Sequence, residues 1–203
     1  MSDAPKKTGA TYQDLVDLPP LYVGEIVAGD LYASPHPARR HVEISSVLGM
    51  LLGTPFQLGQ GGPGGWKILD EPELHFGDDV LVPDLAAWRR ERLPDTGIDD
   101  AWIELPPDWL CEILSPSTAK LDLHRKLPLY ARSGVCFAWV IDPPEKTVKV
   151  LEAREGAWIQ CATFSGNAVV RAPPFDVIEL DLGRVWPPDP PPVSSRPRPL
   201  RRR

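Results

Sequence analysis

Long hydrophobic runs are missing from this 203-residue chain. No apolar stretch approaches the ~20 residues of a membrane-spanning helix, and the polar opening MSDAPKKTGA lacks the apolar core of a secretory signal. A cytoplasmic protein with no membrane partner is therefore expected. Cysteine is scarce as well. Cys111, Cys136 and Cys161 lie far apart, inside apolar or strand-like runs, without the paired spacing of a zinc site or a disulfide framework. Each is expected to be a buried free thiol. The glycine-rich stretch GQGGPGGWK, residues 59–67, has neither the lysine spacing of a P-loop nor the dinucleotide fingerprint, so it reads as a flexible loop. No internal repeat is present. Basic charge is outnumbered, with 22 Lys and Arg against 28 Asp and Glu and a net charge of −6, which argues against a generic nucleic-acid binder. The imbalance is uneven. Residues 196–203 hold five arginines, which leaves 17 basic against 28 acidic residues, or −11, for the rest.

What the chain does have is enough apolar material, 42% of its residues, for one sizeable core. A single domain over residues 11–187 is expected, between a disordered N-terminus (1–10) and a disordered proline- and arginine-rich tail (188–203). Residues 12–17 suggest a short helical turn ended by Pro19-Pro20. LYVGEIVAGDLYASP reads as a hairpin with strands 22–27 and 31–33. In HVEISSVLGMLLG, the residues Val42, Ile44, Val47, Leu48, Leu51 and Leu52 mark an amphipathic helix ended by Gly53, with His41 in its first turn. Strands follow at 66–69, 73–76 and 80–88, the last carrying Pro83-Asp84. Near the end, TVKVLEA and AWIQCATFS alternate as an antiparallel pair joined at Arg154-Glu155-Gly156, and DVIELDLGRVW supplies a final strand or turn.

The most informative stretch is residues 109–143, WLCEILSPSTAKLDLHRKLPLYARSGVCFAWVIDP. Alternation over 109–114 puts Trp109, Cys111 and Ile113 on one face of a strand, and Leu110, Glu112 and Leu114 on the other. A carboxylate flanked by leucines in a sheet covered on both sides is costly unless a cation faces it. After the Ser115-Pro116-Ser117 turn, Ser117 or Thr118 is placed to cap a helix. On that helix Asp122, Lys126 and Tyr130 recur at i, i+4 and i+8, with Leu123 and Leu127 beside them. Pro128 removes a backbone donor and predicts a kink or split just after Lys126. VCFAWVI, 135–141, is a second buried strand.

Asp84 and Glu112 sit on two strands that a hairpin-like return would make neighbours. Two carboxylate ligands of this kind, completed by water and phosphate oxygens, suit Mg²⁺, and a nearby lysine can orient or help deprotonate a water or offset phosphate charge. The alternative reading is purely structural: a local Pro83-Asp84 turn, a structural hydrogen bond to Glu112, and an i,i+4 pair between Asp122 and Lys126.

The text from VPDLAAW through PPDWLCEILSPSTAKLDLHRKLPLYARSGVCFAWVIDP resembles the Uma-type, restriction-endonuclease-like family, long catalogued as a domain of unknown function. The hairpin GEIVAGDLYASP, the helix near His41 and the terminal VIELDL resemble that family in order and spacing, over about residues 15–187. The resemblance implies an α/β (α+β) PD-(D/E)XK nuclease fold, a mixed β-sheet flanked by helices, with a Mg²⁺ site that also accepts Mn²⁺. Carried over, the acidic pair falls on Asp84 and Glu112, both metal ligands. The slot two residues after Glu112, where the nuclease motif places its lysine, holds Leu114. Lys126 matches the family's own lysine position and is the catalytic candidate, oriented by Asp122, with Lys120 as the alternative. Glu25, His41 and Tyr130 are candidate supporting groups. The implied activity is Mg²⁺-dependent endonucleolytic hydrolysis of DNA. DNA is the implied partner, a homodimer is compatible with this kind of nuclease, and no protein partner is indicated. A non-catalytic binding module retaining the nuclease fold is the competing reading, favoured by Leu114 and by the acidic body. A hydrolase built on Cys111 fits less well, because Cys111 points away from Glu112 and has no histidine near it in sequence.

Overall fold

The computed structural model describes residues 7–93, 95 and 98–188. Residues 1–6 and 189–203, and with them most of the two segments expected to be disordered, lie outside the described residues. In chain order come β1 (Lys7–Thr8), α1 (Tyr12–Val16), β2 (Tyr22–Val27) and β3 (Asp30–Pro35). β1 corrects the expectation of disorder through residue 10. Lys7 and Thr8 pair with Leu31 and Asp30, and Lys7 Nζ lies 2.7 Å from Asp14 Oδ1. The β2–β3 hairpin closes through Ala28 and Gly29, with φ values of 53° and 80°, the two-residue turn whose twist matches that of the strands.

α2 (Arg39–Leu52) buries Ile44, Leu48 and Leu52, while Val42, expected on its apolar face, is exposed. Gly53 does not end this helix. It keeps a right-handed φ of −62°, and the chain continues as a π-helical turn, Gly53–Gln57, that buries Pro55 and Phe56. Next come β4 (Trp66–Asp70), β5 (Leu74–Phe76), β6 (Asp79–Leu81) and β7 (Leu85–Arg89). The strand expected over 80–88 is thus two strands in two different sheets. The break falls at Val82-Pro83-Asp84, because Pro83 has no N–H for a ladder.

β8 (Trp109–Ile113) leads into α3 (Ala119–Leu121), a π-helical turn (Asp122–Lys126) and α4 (Leu127–Arg132). Thr118 sits at the helix N-cap, but its side chain makes no capping bond. Pro128 stands in the first turn of α4, so the split after Lys126 falls where its missing donor predicts. There the Leu127 N–H reaches back to the Asp122 carbonyl, five residues earlier. The wider turn changes the helical phase, and Leu123, expected beside the buried row, is exposed. β9 (Phe137–Asp142), β10 (Thr147–Arg154), β11 (Ala157–Ser165), β12 (Val169–Val170) and β13 (Leu180–Asp181) complete the strands.

Six strands form one sheet in the order β11-β10-β9-β8-β7-β4, in which β8 and β9 run parallel and the other pairs antiparallel. This is the mixed sheet of the expected α+β class. Trp109, Cys111 and Ile113 pack on one face with α2 and the C-terminal residues Phe175, Leu182 and Trp186. Leu110 packs on the other with Leu127, Leu129 and Tyr130 of α4. A second, antiparallel sheet, β1-β3-β2-β6-β5, adds Val27, Tyr32, Leu74 and Leu81 to that second core, so strands as well as helices cover this face. Of the three free thiols only Cys111 is buried. Cys136 and Cys161 are exposed, which corrects the expectation for both: Cys136 directly precedes β9, and Cys161 is the extra residue at a bulge on the outermost strand.

Candidate active site

The antiparallel register Leu85↔Cys111 and Ala86↔Leu110, carried one residue further, sets Asp84 across from Glu112. Asp84 is pinned there. Its Oδ2 accepts from the Ile113 N–H at 2.6 Å, and its Oδ1 lies 3.2 Å from Nε2 of His41, in the first turn of α2. The other ring nitrogen of His41, Nδ1, is buried with no hydrogen-bond partner. Burial alone would lower the His41 pKa, but Asp84 raises it above the ordinary imidazole value.

Lys126 enters from the π-helical turn and is 2% exposed. Its Nζ lies 2.8 Å from Glu25 Oε1, 3.0 Å from Glu112 Oε1 and 3.5 Å from Asp122 Oδ1. It also donates to the Val82 carbonyl at 3.3 Å, while the Val82 N–H donates to Glu25 Oε1 at 2.8 Å. The strand break before Asp84 frees both backbone groups of Val82, and the ion pair satisfies both. Tyr130 donates its phenolic hydrogen to Glu112 Oε1 at 2.8 Å.

Glu25, His41, Asp84, Glu112, Asp122 and Lys126 all line one cavity of about 310 Å³. Tyr130 stands behind it, acting through Glu112. Burial pushes the Glu112 carboxyl well above the usual carboxylate range, against the pull of Lys126. Burial likewise carries Asp122 up to about 6. Burial opposes the Lys126 charge, yet Glu112 and Glu25 hold its pKa well above the ordinary lysine value. An amine held this firmly as ammonium donates hydrogen bonds and offsets negative charge; it does not take protons.

Lys120, the alternative lysine, is exposed and does not line the cavity. Leu114, in the usual lysine slot, packs against the second core. Missing from the sequence reading were the Val82 backbone and a hydroxyl cluster on the cavity wall, in which Ser115 Oγ lies 2.9 Å from both Ser117 Oγ and Thr118 Oγ1. The SPST text carries those hydroxyls, but Val82 left no signal in its side chain.

Among the described residues, no group of three or more His, Cys, Asp or Glu is arranged to hold a metal ion. Mg²⁺ does not need one, since it is usually held by one or two carboxylates with water and phosphate oxygens. The cavity is lined by five carboxylates, Glu25, Glu71, Asp84, Glu112 and Asp122, against one ammonium and two imidazoles, His36 and His41. That excess of anionic oxygen fits a hard cation at Asp84 and Glu112.

A six-stranded mixed sheet with helices packed on it is the architecture of a restriction-endonuclease-like protein. The crystal structure of "a putative nuclease belonging to DUF820" from Anabaena variabilis ATCC 29413 matches with a TM-score of 0.70 and 24% identity, over 87% of this chain and 97% of that one. The likeness establishes the shared fold. The chain belongs to the Uma2 family, whose model, described as "Putative restriction endonuclease", matches residues 11–183. No curated protein matches the chain. Among the described residues, no helix is long and apolar enough to cross a membrane.

Proposed function

We propose that this protein is a Mg²⁺-dependent endonuclease that hydrolyses DNA phosphodiester bonds, with Asp84 and Glu112 holding the cation and Mn²⁺ able to replace it. The observation that carries this reading is the 3.0 Å approach of Lys126 to Glu112, which returns an ammonium to the acidic pair although Leu114 fills the motif's lysine slot. A bound divalent cation would supply Lewis-acid polarisation of the phosphoryl oxygen and a more acidic water. His41 and the Ile113 N–H hold the Asp84 carboxylate in place. Tyr130 and Lys126 hold that of Glu112, and Glu112 and Glu25, with Asp122 beside them, keep Lys126 charged. Lys126 then acts as a fixed positive charge for the phosphate or the attacking water.

Asp84→Ala should abolish Mg²⁺-dependent cleavage of plasmid DNA while circular dichroism still reports a folded protein. Undiminished cleavage by the purified variant would overturn the assignment. A non-catalytic binding module is supported by the crowding of Lys126, which already lies within 3.5 Å of three carboxylates. Calorimetry separates the two readings: titration with Mg²⁺ or Mn²⁺ should give heat that Asp84→Asn removes, whereas none above background favours the module.

A further inference from the structure

Two stretches beside the cavity expose charge of a single sign, although the exposed acid Glu71 also lines its wall. Along the helical run 119–132, the acid is Asp122, turned inward and buried, and Lys126 is buried with it. The ionisable residues left exposed there are Lys120, His124, Arg125 and Arg132, without an acidic one among them. The segment 36–40, which supplies His36, Pro37 and Ala38 to the cavity wall, likewise carries exposed His36 and Arg39, then half-buried Arg40. The next acid along the chain is Glu43, 3.8 Å from an Arg39 side chain that is 94% exposed. In a chain whose acids outnumber its bases 28 to 22, these two stretches run against the overall balance.

Both stretches adjoin the cavity. Asp122 and Lys126 form its wall from the same helical run that turns Arg125 outward, and a helix with its side chains is only ~10–12 Å across. An acidic pit repels a polyanion, whereas basic banks beside it attract one and can hold successive phosphates along a strand.

We propose that the outward face of 119–132, together with the basic start of α2, is the surface on which duplex DNA docks through its phosphate backbone, without reading bases, with one phosphate left over the cavity. This inference rests on the nuclease reading of that cavity. Arg125 and Arg132 form one bank, and Arg39 and Arg40 the other.

The test is fluorescence anisotropy of the full chain with a labelled 30-bp DNA duplex in EDTA, across a series of KCl concentrations. The double variants Arg125→Glu/Arg132→Glu and Arg39→Glu/Arg40→Glu should each weaken binding at least tenfold at 0.1 M salt. Each should also lower the slope of log K against log [KCl] by about two, near one for every phosphate no longer neutralised. Lys149→Glu, an exposed change on β10, should leave both unchanged. Wild-type affinity and slope in both double variants, an equal loss in Lys149→Glu, or no wild-type binding at 50 mM KCl would each overturn the proposal. Its failure is separable from that of the nuclease reading. Asp84→Asn should bind DNA like the wild type and not cut it, while the arginine variants should lose Mg²⁺-dependent cleavage at subsaturating DNA in step with their loss of affinity. DNA binding that weakens as expected beside a wild type that never cuts would sink the nuclease reading and leave the docking surface standing.

Discussion

Tyr130 donates to Glu112 across 2.8 Å inside the protein, linking α4 to the central strand β8. The acceptor oxygen is the one that also faces Lys126, so the phenol and the ammonium hold the carboxylate from two directions. Tyr130→Phe keeps the ring packing and removes only the donor. A hydrogen bond to a charged group contributes ~1.5–3 kcal/mol, and urea denaturation should show a loss of that size with an unchanged m-value.

Lys126→Met should cost more. It leaves Glu112 and Glu25 buried without their cation, a change that typically destabilises by ~3–5 kcal/mol. The loss should be largest near pH 8 and should shrink toward pH 5, as the stranded Glu112 carboxyl, its pKa already raised by burial, takes up a proton. Denaturation midpoints at several pH values check this, and a deficit independent of pH would contradict it.

Asp122 gives a pH signature of its own. Burial raises its pKa from 3.8 to about 6, so the folded state binds this proton more tightly than the unfolded chain does. That contribution to stability is present at pH 4 and fades as the pH rises to about 6. Above pH 6, ionised Asp122 therefore costs about 3 kcal/mol relative to acid conditions. Asp122→Asn should stabilise the protein at pH 7.5 and give little or no gain at pH 4, as read from thermal unfolding at the two pH values.

The thiols should separate by accessibility. Cys136 and Cys161 are exposed, whereas burial raises the Cys111 thiol well above its usual value. A chromogenic disulfide reagent should titrate two thiols in the native protein and the third only after denaturant is added. Native reactivity of Cys111→Ala equal to that of the wild type would complete the assignment.

Several features were legible because they are local. The two hairpin turns, the alternation along 109–114 and the helix split at Pro128 follow from backbone chemistry within a few residues, and the structure carries each of them. Features set by the partner of a backbone group were not legible. Gly53 reads as a helix end, yet burial of Pro55 and Phe56 accompanies the winding past it. The apolar run 80–88 reads as one strand, because periodicity does not say which sheet each half joins. Leu123 matched the helical period and came out exposed, since a π-helical turn shifts that period by one residue.

Residue order alone dictates most of the elements, the two faces of β8 and the acidic residue types available, because propensity and alternation act within a few residues. It took the packing of the whole chain to bring Glu25, from a hairpin in the other sheet, within 2.8 Å of Lys126, and His41, from α2, within 3.2 Å of Asp84. Those pairs join residues far apart along the chain. Their positions follow from how the two sheets and α2 pack, and from the need of each buried charge for a partner of opposite sign.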